Sequence, residues 1–182
     1  MNAQKYTQKS LEAIQAAQSL ALQHQNQQIE QVHLLGALLQ QEGGLIPQLL
    51  QKMGRAPESL AAAVSKEITK LPSVTGSGRE ADKYYIAREV DQVFQEAESA
   101  AAQMHDDFVS VEHLFLALLT CPDRTLKQLF STYQLQKEDV LQALQTIRGN
   151  QRVTNDNPED TYEALEKYGT DLVKRAREKK MD

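Results

Sequence analysis

One segment of this chain occurs twice at a fixed spacing. Residues 109–119 match residues 29–39 at a displacement of 80, so that His33 falls on His113, Leu34 on Leu114, Ala37 on Ala117, Leu38 on Leu118 and Leu39 on Leu119. Self-similarity at a fixed period marks an architecture built from stacked like units, which constrains the fold before any local propensity is considered. In the second copy Val111, Leu114, Phe115, Leu118 and Leu119 follow i, i+3, i+4, i+7, i+8 spacing, which predicts a helix with an apolar stripe. Leu116 and Ala117 extend the apolar character round most of the cylinder, so the helix should be central. Ser110 suits its N-cap, and Glu112 sits where a carboxylate complements the positive helix end.

The repeat extends outward from that helix in both directions. Thr7 is placed to cap a first helix running to about Leu22, with Leu11, Ile14, Ala17 and Ala21 inward. Its counterpart should begin near Asp82 and carry Ile86, Val90, Val93, Phe94, Ala97, Ala101 and Met104. Ile46, Leu49, Leu50 and Met53 predict a short third helix with Pro47 in its first turn, and Leu126, Leu129, Phe130 and Tyr133 repeat that spacing. Pro57 opens a fourth helix with Leu60, Val64 and Ile68 inward, mirrored by Val140, Leu141, Leu144 and Ile147. The expected fold is all-α: two tandem, pseudo-symmetric four-helix repeats packed as one domain over 1–148, with repeats at about 7–71 and 82–148 and a linker at 72–81. Residues 149–158 read as a flexible connector. Residues 159–182 read as a helical lead-in whose stripe (Tyr162, Leu165, Gly169, Leu172, Ala176) is too thin for a core of its own, as in a fragment of a longer protein.

Composition narrows the function. Apolar residues make up 41%, glycine and proline are few, and runs of alternating β-branched residues are missing, which favours helices. A net charge of −5 argues against nucleic-acid binding, which rests on basic clusters. No apolar run approaches the ~20 residues that span a bilayer, and the N-terminus lacks the apolar core of a secretory signal. Cys121 is the only cysteine, which points to a reducing compartment, and the cytoplasm is the expected location. The glycine-bearing stretch 72–79 lacks the lysine followed by Ser or Thr of a phosphate loop, and no strand is predicted before it.

Chemistry-bearing side chains are sparse. His33 and His113 lie on matched helices, with His24 and His105 just ahead, but neither pair has i, i+4 ligand spacing, so His33 and His113 read as structural histidines. Asp106, Asp107 and Glu112 gather round one helix entrance. They suit capping and dipole compensation, worth ~0.3–1 kcal/mol apiece, or an acidic lip beside a binding groove. Cys121 has no catalytic signature around it, and no active site is legible, so an enzyme is not expected. A central helix apolar on nearly all sides could line a groove between the repeats that takes apolar segments of other chains.

The motif Val-Glu-His-Leu-Phe-Leu-Ala-Leu-Leu at 111–119, with its weaker copy at 32–39, resembles the paired N-terminal repeat of the Clp family of AAA+ chaperones, from Thr7 to about Arg148. The stretch Tyr162-Glu163-Ala164-Leu165-Glu166-Lys167-Tyr168-Gly169, continuing to Asp182, is similar to the lead-in to the first ATPase module of that family's ClpB-type disaggregase branch. The resemblance implies an N-terminal module that contacts unfolded or aggregated polypeptide and passes it to the pore of a homohexamer working with an Hsp70 system. It implies no catalytic residue, metal or cofactor here, with ATP and magnesium held by ATPase domains elsewhere, and a fragment that is monomeric on its own. It implies that Thr7, Asp106 and Glu112 handle substrate, and that Val93, Ala97 and Ala100 form the apolar wall of a groove. The alternative within the same family is an adaptor-docking domain of a protease-linked relative.

Overall fold

The computed structural model describes residues 1–74, 85–149 and 151–159. Among these, eight α-helices run in order: α1 Gln8–Gln23, α2 Gln31–Gln40, α3 Leu45–Lys52, α4 Pro57–Thr69, α5 Arg88–Gln103, α6 Val111–Thr120, α7 Arg124–Thr132 and α8 Lys137–Arg148. The α1 and α5 bounds differ by the sequence displacement of 80, and so do those of α2 and α6. The all-α fold expected from the repeat is the fold observed. Part of the 72–81 linker and nearly all of the 159–182 lead-in lie outside the described residues, and α5 begins at Arg88 rather than near Asp82.

The paired central helices form the axis of the core. Every residue from Gln31 to Leu39 in α2, and from Val111 to Leu118 in α6, is buried, as their all-round apolar character requires. α1 packs on α2 and α5 on α6, while α2 and α6 also touch each other. A single buried cluster runs through both units, so neither closes a core alone. Gly36 stands in α2 where α6 has Leu116. A Cβ there would lie 3.2 Å from Val64 Cγ1 and 3.4 Å from Leu20 Cδ1, so the glycine permits the close approach of α4 and α1.

The units are also stitched together by their backbones. Strand β1 (Gln28–Ile29) pairs in parallel with β2 (Tyr85–Ile86), and Tyr6 bridges in parallel to Val109. Thr7 N–H donates to the Val109 carbonyl at 2.9 Å, and at the matching place Ala87 N–H donates to the Ile29 carbonyl at 3.0 Å. The segment entering each unit's first helix is thereby bonded to the segment entering the other unit's central helix.

Two side chains expected inside are not there. Ile86 belongs to β2 rather than α5 and is 41% exposed, because the helix begins at Arg88 after the Ala87 cap. Leu141 is 40% exposed, because Val140 and Leu144 already fill the inner face of α8.

The repeat also carries a local strain. Gly54 ends α3 at φ 72°, and its counterpart Gln134 ends α7 at φ 54°. A side chain in this left-handed region costs roughly 1–2 kcal/mol that glycine does not incur, offset in part by glycine's greater freedom in the unfolded chain. Gln134→Gly is therefore expected to raise unfolding free energy by about 0.5–1 kcal/mol, read as a higher urea midpoint at constant slope.

Candidate functional site

Each central helix is entered through a histidine lock. In the first unit His33 Nδ1 accepts the Glu30 N–H at 2.9 Å and Nε2 lies 2.8 Å from Asn26 Oδ1. In the second His113 Nδ1 accepts the Ser110 N–H at 2.9 Å and Nε2 lies 2.7 Å from Asp106 Oδ2. A backbone donor at Nδ1 leaves the hydrogen on Nε2, which then donates to the Asn or Asp oxygen. Each histidine fills the place a Glu or Gln takes in a capping box. Burial, and after it the charge of His24, lowers the His33 pKa to about 4. Among the described residues no group of three or more His, Cys, Asp or Glu side chains is placed to hold a metal ion.

The two locks differ in charge, and here the pseudo-symmetry breaks. The first has Asn26, Val32, Ile68 and Ala87; at the matching positions the second has Asp106, Glu112 and Arg148, with Thr7 at the α1 N-cap. Arg148 Nη2 donates to Asp106 Oδ1 at 2.7 Å, and Arg148 Nη1 lies 3.4 Å from Glu112 Oε1. The Val153 N–H also donates to Asp106 Oδ1, at 2.9 Å. Burial by itself pushes the Asp106 carboxyl up, but the bonds from His113, Arg148 and Val153, with the Arg148 charge, hold it well below the usual carboxylate range.

The segment 151–159 lies across this site. Asp107 N–H donates to the Val153 carbonyl at 2.8 Å, Gln8 N–H to the Asp156 carbonyl at 2.8 Å, and Arg148 Nη2 to the Gln151 carbonyl at 3.0 Å. Glu159 then reaches in: Thr7 Oγ1 donates to Glu159 Oε1 at 2.6 Å and Val111 N–H donates to the same oxygen at 3.2 Å. One carboxyl oxygen thus serves the entrances of both α1 and α6. Burial first, and then the neighbouring Glu112 charge, raises the Glu159 pKa to about 7.

Residues 149–158, expected from the sequence as a flexible connector, include residues that make specific contacts with the domain. Among the described residues of this run Val153 is fully buried, and the run forms a bonded exit segment. The same device follows the first unit, where Val74 N–H donates to the Gln25 carbonyl at 2.7 Å and Ser73 bridges to Asn26. The structural repeat therefore reaches Val153, the counterpart of Ser73.

Of the six residues the sequence pointed to, Thr7, Glu112, Val93 and Ala97 are fully buried, Asp106 nearly so, and Ala100 half-buried on α5. The structure joins Thr7, Glu112 and Asp106 through Glu159 and Arg148, whereas Val93 and Ala97 belong to the apolar core. Sequence reasoning missed Asn26, Arg148 and Glu159. Arg148 carried a usable signal, being a charge where the first unit has Ile68. A separate open cleft of about 870 Å³, which the sequence did not suggest, is lined by Arg55, Leu119, Phe130, Leu135 and Lys137.

Duplicated helical units, cross-stitched and entered through histidine locks, define a tandem-repeat helical module. The Clp repeat (R) N-terminal domain family matches residues 5–133, and the chain belongs to that family. Chaperone protein ClpB of Bacillus anthracis is 47% identical over 182 residues, covering 100% of this chain and 21% of that protein. The chain thus spans about a fifth of the length of the curated relatives it matches. The Hsp104 N-terminal domain of Candida albicans superposes with a TM-score of 0.73 at 22% identity, covering 85% of this chain and 99% of that one. A ClpV N-domain solved in complex with a VipB peptide gives 0.60 at 20% identity, covering 83% and 91%. At such identities the structural likeness concerns the fold. Among the described residues no helix is long and apolar enough to cross a membrane.

Proposed function

We propose that the chain is the polypeptide-contacting N-terminal module of an ATP-dependent disaggregase, receiving unfolded or aggregated protein and handing it to a hexamer pore. The observation that carries this is the match of the whole chain to ClpB chaperones, and the peptide held by the ClpV N-domain supports it. ATP and magnesium chemistry, the hexamer, cooperation with an Hsp70 system and a cytoplasmic setting belong to the same proposal for the longer protein. Thr7, Asp106 and Glu112 are proposed to shape substrate handling together with the Val93, Ala97 and Ala100 face of α5, of which Ala100 is the part that reaches solvent.

Anisotropy titration of the chain against a permanently unfolded model protein and its folded parent tests this. Weak binding to the unfolded form is expected, lowered several-fold by Thr7→Ala or Glu112→Ala with the helical signal intact. Equal affinity for both forms would overturn the proposal. Tight, saturable binding of one folded protein would favour the adaptor-docking alternative, which the single named peptide on the ClpV domain keeps in play.

A further inference from the structure

The exit segment brings Glu159 beside Glu112 of α6. Glu112 and Glu159 are both buried, and among the described residues Oε2 of each has no hydrogen-bond partner. The described cation in contact is Arg148, which bonds Asp106 at 2.7 Å and stands 3.4 Å from Glu112. Thr7 and Ser10 from α1 add only hydroxyls, with Thr7 Oγ1 3.0 Å from Ser10 Oγ. His113 on α6 is engaged with Asp106. Asp106 and Glu112 thus share one guanidinium, and Glu159 arrives with the exit segment as a further carboxyl beside Glu112.

We propose that Glu159 is a latch: its carboxyl clamps the exit segment across the entrances of α1 and α6, and ionisation beside Glu112 loosens it. Protonated at Oε2, the carboxyl keeps Oε1 free to accept from both Thr7 and Val111. Ionised, it adds a second negative charge to a pocket where water cannot screen it. The raised pKa agrees with this geometry. Docking is strongest below the ordinary value near 4.5 and weakens about tenfold per pH unit until the docked pKa of about 7 is passed. On the proposed function, the latch gives the buried Thr7 and Glu112 a way to act, since they set how the exit segment is held. It stands whether or not the domain binds unfolded chains.

Amide chemical shifts of the full chain test it. The Val111 amide reports the Glu159 bond and the Gln8 amide reports the Asp156 bond. Both are expected to titrate together with a midpoint near 7. Glu159→Gln keeps an acceptor for both donors and should hold both amides in the docked position at every pH. Glu159→Ala should release both at every pH, while the Leu34 and Phe115 amides, deep in the core, stay in place and report an intact fold. Titration only near pH 4.5, or Val111 and Gln8 amides unmoved in Glu159→Ala, would overturn the latch.

Discussion

Replacing Arg148 with isoleucine is expected to lower unfolding free energy by about 3–5 kcal/mol, the range for removing one partner of a buried ion pair. The guanidinium is the shared counter-charge of Asp106 and Glu112, and its loss strands two carboxylates inside the domain. The first unit shows how the same place is built without charge: Ile68, Asn26 and Val32 stand where Arg148, Asp106 and Glu112 do. Adding Asp106→Asn and Glu112→Val to Arg148→Ile is therefore expected to recover most of the loss, because apolar replacement of an entire buried charged cluster is often neutral. Urea unfolding of the single and triple variants checks this, and a triple variant no more stable than the single one would refute it. The pH dependence has a definite sign. A carboxyl held below its unfolded value near 3.8 contributes stability that is fully present above that pH and is lost as the pH falls below it. Arg148→Ile should shrink that acid-side contribution.

Phe115→Ala is expected to cost a similar ~3–5 kcal/mol by leaving a cavity. Phe115 is fully buried on α6, which is packed against α1, α2, α3, α5 and α8, so few neighbours are free to collapse into the space. A drop in melting temperature on the order of 10 °C should follow for a domain of this size, read by circular dichroism or calorimetry. The counterpart Leu35→Ala should cost ~2–5 kcal/mol, since α2 holds the equivalent position in the first unit.

The fold was legible because the repeat aligned without gaps. His33 and His113, read as structural, occupy matched locks, and Thr7 caps α1 as its position suggested. What periodicity could not show is contact across the two units. The Tyr6–Val109 and Ile29–Ile86 bridges join segments far apart in sequence, and nothing local in Tyr85–Ile86 announces a strand. The contacts of the exit segment were hidden for a related reason. Residues 149–158 are mostly polar, but backbone groups of Val153 and Asp156 are taken up by Asp106, Asp107 and Gln8, and a polar composition does not reveal such partners. Glu112 was legible as an acid at a helix entrance, but its pairing with Glu159 was not, because only the fold puts the two side by side.

The most direct test of the recognition reading is to map binding of an unfolded polypeptide on the isotope-labelled chain. Amide shifts are expected at Ala100 on α5 and round the α1 and α6 entrances at Thr7 and Val111, with the cleft lined by Arg55 and Lys137 unmoved. Shifts confined to that cleft, or none at saturating polypeptide, would contradict it.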